Sequence, residues 1–288
     1  MLILGGFGFL LACVFGSFLA SGGAMGPLVA AMPFELLSIG GSATGAFLMS
    51  NSMRDVKHTL GGFLKAIKGP RFKKADYIEL LTTLFQLARL AASKGALAIE
   101  PHIEKPAESS IFQASPKILA DAHATALICD YLRMVGMNAD DPHQIEDTMA
   151  RELKKGLAEE LHPSHALQTM SDGLPALGIV AAVLGVIKTM GHINESPVVL
   201  GEMIGGALVG TFLGVLLAYG VVGPVAARLR GIVEEEAKYY EMIRAVLVAH
   251  LHGNAPQVSV ESARKIVPTH LMPSFSELEQ ALQSNPAA

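Results

Sequence analysis

Residues 173–230 read GLPALGIVAAVLGVIKTMGHINESPVVLGEMIGGALVGTFLGVLLAYGVVGPVAARLR. Two apolar segments are joined by a short polar turn. Each is punctuated by glycine at helix-face spacing, and each has a proline near one end, Pro175 and Pro224. No charged side chain occurs from Gly173 to Ile187, and none from Met203 to Ala227. A helix that crosses a bilayer needs about 20 predominantly apolar residues, so the second segment is long enough to span. The reading is a membrane protein whose functional centre lies in this hairpin.

The bulk composition agrees. Of 288 residues, 51% are hydrophobic and 17% charged, against about 25% charged in ordinary soluble domains. Mean hydropathy is +0.41. The charge deficit is confined to a few blocks, which means membrane spans plus a water-facing part. A net charge of -4 gives no reason to expect a nucleic-acid partner. Cys13 and Cys129 form neither a disulfide framework nor a metal spacing, which fits a reducing compartment. Met1 to Phe34 carries no charge, so it lacks the positive start of a secretory signal and is expected to be a retained span.

Working outward gives an all-α membrane protein with four transmembrane helices. A large helical cytoplasmic insert is expected between spans two and three. Leu2–Ala20 is span one, Ser21–Pro33 an uncharged connection, and Leu36–Ser50 span two. Gly41 and Gly45 form a GxxxG pair that lets another helix approach closely. Arg54, Lys57, Lys65, Lys68, Arg71, Lys73 and Lys74 follow at once. The positive-inside rule therefore puts this side, and both termini, in the cytoplasm. The expected parts are residues 1–53 (spans one and two), 54–170 (the insert), 171–230 (spans three and four) and 231–288 (a cytoplasmic helix and tail).

Within the insert, a helix from Asp76 carries Ile78, Leu81, Leu84 and Phe85 on one face, and Gly95 ends or interrupts it. A connection through Pro101, Pro106 and Pro116 leads to a helix over Lys117–Met134. Asp141-Pro142 is a cap and first-turn pair. After it, Ile145, Met149, Leu153, Leu157 and Leu161 make a narrow apolar strip. A charged helix over Gly231–His252 is expected to continue span four, and the polar tail after it to be mobile.

No carboxylate is expected at membrane depth, because Glu35, Glu202 and the cation Lys188 are placed at span ends. The spans offer hydroxyls instead, Thr44, Thr211 and Tyr219, and backbone freed near Pro175 and Pro224. An ion-conducting role would need its carboxylate from a partner chain. Gly206, Gly210 and Gly214 recur every four residues and make one face of span four a smooth groove flanked by Thr211. The plain alternatives are that Thr211 bonds a carbonyl one turn back and that the prolines are ordinary kinks. Arg89, Lys94, Glu100 and Glu104 crowd one turn region of the insert, where charge is most often just solvated. No metal-binding histidine pattern, phosphate loop or nucleophile motif points to an enzyme.

Several motifs carry a resemblance over nearly the whole chain. They are IGGSATGAF in span two, PAESSIFQASPKILADA followed by DYLR, SDGLPALGIVAAVLGVIKTMG in span three, LVGTFLGVLLAYG with Pro224 in span four, and PSFSELE near the end. In these the chain resembles the MotA family of flagellar motor stator proteins, within the MotA/TolQ/ExbB proton-channel superfamily. The resemblance implies a homopentamer around a MotB dimer in the bacterial inner membrane. MotB would supply the ion-binding aspartate, H+ would be the transported ion with Na+ open, and torque would pass to the rotor protein FliG. It places the ion-coupling prolines at Pro175 and Pro224, the channel threonine at Thr211 and the torque-interface glutamate at Glu100. Tyr219 joins the coupling set, and Gly41, Gly45, Gly206, Gly210 and Gly214 are helix-packing positions. Ala92 stands where the family has a basic rotor-interface residue, leaving Arg89 and Lys94 as its neighbours.

The nearest rival is a transducer subunit of the ExbB or TolQ type, expected to have three spans and an outside amino terminus. A self-sufficient transporter would need its own ionisable site at membrane depth. A purely structural scaffold is compatible with composition alone.

Overall fold

In the computed structural model, residues 2–137 and 141–284 are described, and among them every regular element is helical. The polar tail beyond residue 284 lies outside them. Two compact units emerge, each built from separate stretches of chain: residues 1–69 with 160–232, and residues 70–159 with 233–288.

The first unit holds α1 (Leu2–Ala20), α2 (Met25–Ser50) and α3 (Met53–Lys68). It also holds the later part of α9 (Pro142–Met190), α10 (Pro197–Leu217) and the start of α11 (Gly223–Leu251). Four helical stretches among the described residues are long and apolar enough to cross a membrane, those beginning at Ile3, Met25, Pro142 and Pro197. Apolar side chains such as Phe9, Leu37, Ile187 and Leu208 are exposed on them, as a lipid-facing or subunit-facing surface requires. Ile39, Ala43, Leu174, Ala181, Val209, Leu213 and Ala218 form the small internal core.

The connection expected over Ser21–Pro33 is shorter than the residue types suggested. The turn ends at Ala24 and α2 starts at Met25, with Pro33 inside it. Proline fits the first turn of a helix without loss, and an interior proline is tolerated in an apolar helix held by its neighbours. The consequence is that Glu35 lies ten residues inside the 26-residue α2 and not at its end. Ser52 then starts α3 with a reciprocal capping pair, its Oγ accepting from the Asp55 N–H while Asp55 accepts from the Ser52 N–H.

The second unit holds α4 (Lys74–Lys94), a 3-10 turn at Ala96–Ala98, and then four further short helices in place of the expected proline-rich connection and single helix. These are α5 (Glu100–Glu104), a 3-10 turn (Pro106–Glu108), α6 (Ser110–Gln113) and α7 (Pro116–Ala120). Each of Pro101, Pro106 and Pro116 sits in a first turn, where its missing N–H leaves nothing unsatisfied. The helix expected over Lys117–Met134 is broken at Asp121. Its carboxylate accepts from the His123 and Ala124 N–H groups and starts α8 (Ala122–Gly136) afresh. α12 (Pro256–Arg264) and α13 (Phe275–Ser284) complete the unit.

Its core joins Tyr77, Leu80, Leu81 and Leu84 of α4 to Phe112, Ile118, Ile128, Ile145 and Met149, and to Ile243 and Val246 of α11. Phe72 stacks on Tyr239 with ring centroids 3.8 Å apart, and Tyr77 meets Tyr239 edge-on. Gly95 ends α4 with φ of +83°, a conformation that favours glycine. Asp141 accepts from the His143 N–H at 3.0 Å, as the Asp-Pro pair implied. α9 runs unbroken through residues 170 and 171, and α11 carries on from α10 through one wide turn.

Candidate functional site

The site is built from α9, α10 and α2 of the first unit. Small residues let α9 and α10 approach almost backbone to backbone in an antiparallel seam. A Cβ added at Gly178 would stand 2.8 Å from the Gly210 carbonyl oxygen, and one at Gly214 would stand 2.8 Å from the Leu174 oxygen. Further along, a Cβ at Gly185 would fall 2.6 Å from Ala207 Cβ. Gly206 faces α2 instead, where its nearest neighbour would be Ala31 Cβ at 3.8 Å. The four-residue glycine repeat of α10 thus serves two neighbours. The α9 half of the seam, Gly178 and Gly185, was missed in the sequence because its spacing is seven residues, not four. Gly41 and Gly45 have nothing within 4 Å of an added Cβ, so their pair packs against none of the described residues.

Pro175 is half-buried inside α9 and deprives the Ser171 carbonyl of its usual donor four residues on. Ser171 is fully buried, and its hydroxyl crosses to α10's end and donates to the Ala218 carbonyl at 2.8 Å. That carbonyl belongs to a π-turn over Ala218–Val222, and the Gly223 N–H also donates to it. The wide turn lies immediately before Pro224, whose ring would otherwise press on the carbonyl four residues back. Gly223 is required there, since a Cβ would stand 2.9 Å from Ala218 O and 3.1 Å from Ser171 Oγ. Two helix irregularities, at Pro175 and Pro224, are therefore joined by one buried hydrogen bond. Ser171 stands just before the quoted hairpin; only contact across the seam reveals it.

Thr211 is half-buried on α10. Thr44 and Thr189 each donate to a carbonyl one turn back, at 2.7 and 3.0 Å. Thr211 makes no such bond, and its hydroxyl has no partner among the described residues. Tyr219 lies in the π-turn with an exposed ring and an uncommitted hydroxyl.

In the second unit, Arg89, Lys94 and Glu100 are exposed around the end of α4 and the start of α5, with no charged partner among the described residues. Glu104 behaves differently. It is paired to Arg133, which also binds Asp130 at 2.7 Å and the Ile103 carbonyl at 3.0 Å. These contacts hold the Arg133 guanidinium above its ordinary range, chiefly through the Glu104 carboxylate. The sequence grouped four charges here; the fold leaves three open and uses one to fasten α5 to α8. His143, Glu146 and His252 also converge, with ligand atoms within 4.8 Å of one another, and could hold a divalent metal. Their separation in sequence hid them.

Comparison with known proteins follows the same lines. The model of the Motility protein A N-terminal family matches residues 4–95, and that of the MotA/TolQ/ExbB proton channel family matches residues 114–242. Motility protein A of Escherichia coli K12 is 38% identical over 284 residues, covering 99% of this chain and 96% of that one. Chemotaxis protein LafT of Vibrio parahaemolyticus is 33% identical, covering 95% of each. Among solved structures, C. jejuni MotAB superposes with a TM-score of 0.74 at 16% identity, covering 95% of this chain and 98% of that one. The flagellar MotAB stator complex from Bacillus subtilis gives 0.67 at 23% identity, covering 95% and 97%. These two likenesses establish the fold. The 38% identity over nearly the whole length with a Motility protein A then decides the family, and the chain belongs to the motility protein A branch of the MotA/TolQ/ExbB proton channel family.

Proposed function

We propose that the chain is the ion-conducting stator subunit of a bacterial flagellar motor, coupling proton flow across the inner membrane to torque. The observation that carries this is the match to the Motility protein A N-terminal family over residues 4–95, which covers α1 and α2. A transducer subunit of the three-span type would lack a counterpart for part of that region.

In this reading five copies surround a MotB dimer, both termini are cytoplasmic, residues 54–170 form the cytoplasmic insert, and FliG is the rotor partner. The partner's aspartate takes up the ion. Neutralising it removes a charge that is unfavourable at membrane depth and changes which contacts along the α9–α10 seam it prefers. The uncommitted Thr211 hydroxyl supports a place for this chain in the path, because it can accept or donate without breaking an internal bond. Pro175 and Pro224 give the two helices their yielding points, and the Ser171 bond keeps these in step. The membrane potential contributes about 2.3 kcal/mol per charge per 100 mV, enough to bias such a step. Arg89, Lys94 and Glu100 are the charges left open for a rotor.

The test is motility of a deletion strain expressing this chain with and without its MotB-type partner. Swimming that needs both, survives sodium removal and stops with a protonophore fits the proposal. Normal swimming without this chain contradicts it, and swimming that tracks sodium changes the ion.

A further inference from the structure

The packed stripe of α2 contains one group that the proposed function does not use. Ala31, Glu35, Ile39 and Ala43 recur every four residues along one face. Ile39 and Ala43 are buried, Ala31 lies by Gly206, and Glu35 reaches Gly210 one turn on. The parallel register places the Glu35 carboxyl between helices. Its Oε2 atom is buried and has no hydrogen-bond partner. A Cβ at Gly210 would stand 2.7 Å from that oxygen and 3.2 Å from Ala181 Cβ, so the bare glycine is what makes the slot. Glu35 lies ten residues past the start of α2, about 15 Å along its axis.

Among the described residues no cation pairs with Glu35: the exposed Lys188 of α9 stands seven residues past Ala181, about 10 Å along the helix. α1 offers only Cys13 as a titratable group, α9 offers none from Gly173 to Ile187, and α10 offers only Glu202. Glu202 is eight residues before Gly210, about 12 Å along the helix. α2 carries no other charge. An ionised carboxylate with an unsolvated oxygen is strongly disfavoured in such a place, whereas a neutral acid fits it.

We propose that Glu35 is a proton-exchanging site of the membrane unit, a carboxylic acid seated neutral in the slot over Gly210 that releases and regains its proton through water. On release the Glu35 O–H bond breaks, a water molecule takes the proton, and the electron pair stays on the carboxylate; uptake reverses this. The proposal rests on the stator reading and adds a carboxyl from this chain to the one the partner supplies. It also replaces the expectation that this chain has no ionisable group at membrane depth.

Infrared difference spectroscopy of the complex with its MotB-type partner, reconstituted in lipid, reads the protonated carboxyl directly. Wild type is compared with Glu35→Gln, which keeps the shape but cannot release a proton, and with Glu35→Asp, which keeps the acid but shortens it. The wild type is expected to show a protonated-carboxyl band that shifts in D2O and disappears as pH rises. Glu35→Gln loses that band, Glu35→Asp displaces it, and rotation speed in Glu35→Gln loses the wild-type dependence over the same pH interval. An unchanged band in both variants, or a wild-type carboxyl that is ionised at neutral pH, overturns the proposal. Should Glu35→Gln fail to assemble, the displaced band of Glu35→Asp decides alone. Swimming that requires this chain while the band is unaffected would remove Glu35 and leave the stator reading standing.

Discussion

At the scale of single residues, the seam is held by groups whose importance comes from what they touch across it. Ser171→Ala removes the donor to the π-turn carbonyl in a fully buried place. It is expected to lower stability by about 1 kcal/mol, read as a lower thermal midpoint of the detergent-solubilised chain, with loss of torque exceeding loss of assembly. Equal stability would mean the bond is dispensable. His250 gives a pH prediction in the second unit. Burial holds its imidazole below the ordinary 6.5, and its Nδ1 has no partner. The folded chain then binds fewer protons here than the unfolded one, so this contribution is present above 6.5 and is lost as pH falls below it. His250→Phe is expected to flatten the decline of the thermal midpoint between about pH 7.5 and about pH 5.5 relative to wild type. Parallel declines in the two proteins would contradict it. Thr211, Pro175 and Pro224 were visible in the sequence as residue types in apolar helices. Ser171 was not, and Glu35 was read as a span-end residue, because their meaning depends on which carbonyl or glycine lies opposite.

At the scale of elements, glycine has two different uses that one spacing rule does not separate. Gly178→Ala forces a Cβ within 2.8 Å of a backbone oxygen of α10. Spreading the helices is expected to cost about 1–3 kcal/mol, seen as reduced thermal stability and reduced motility. Gly41→Ala meets nothing within 4 Å and is expected to leave the chain's own stability within about 0.5 kcal/mol. Since that face is free for another helix, the variant is expected to reduce assembled complex on native gels; unchanged assembly would assign the face to lipid. α13 supplies a further case. Lys74 and the Ser274 N–H hold the exposed Glu277 carboxyl down to about 2, so it stays charged well below its ordinary 4.5. This docking is present above 4.5 and is lost as pH falls toward 2. Hydrogen exchange in α13 is expected to rise across that interval in wild type and to be raised already at neutral pH in Lys74→Ala. The helices themselves were legible from apolar runs, Gly95 and Asp141-Pro142. The start of α2 and the break at Asp121 were not. A proline in a first turn looks like a loop in sequence, and a capping carboxylate inside an amphipathic run looks like a helix residue.

At the scale of the whole molecule, hydropathy alone disclosed the separation of apolar spans from charged helical stretches. Each of the two units is assembled from distant pieces of chain, with α9 and α11 contributing to both. No local pattern marks where a continuous helix passes from one unit to the next, so those limits required the fold. The division of chemistry follows the same line: hydroxyls, glycines and the Glu35 carboxyl among the packed apolar helices of the first unit, open charges at the end of α4 in the second. In the proposed function, ions cross beside the α9–α10 seam only when a partner completes the path. Proton uptake by vesicles containing this chain with its MotB-type partner, under an imposed potential, tests it most directly. Uptake is expected with both chains, none with either alone, and a marked reduction with Thr211→Val at unchanged assembly. Uptake by this chain alone, or full uptake with Thr211→Val, would contradict it.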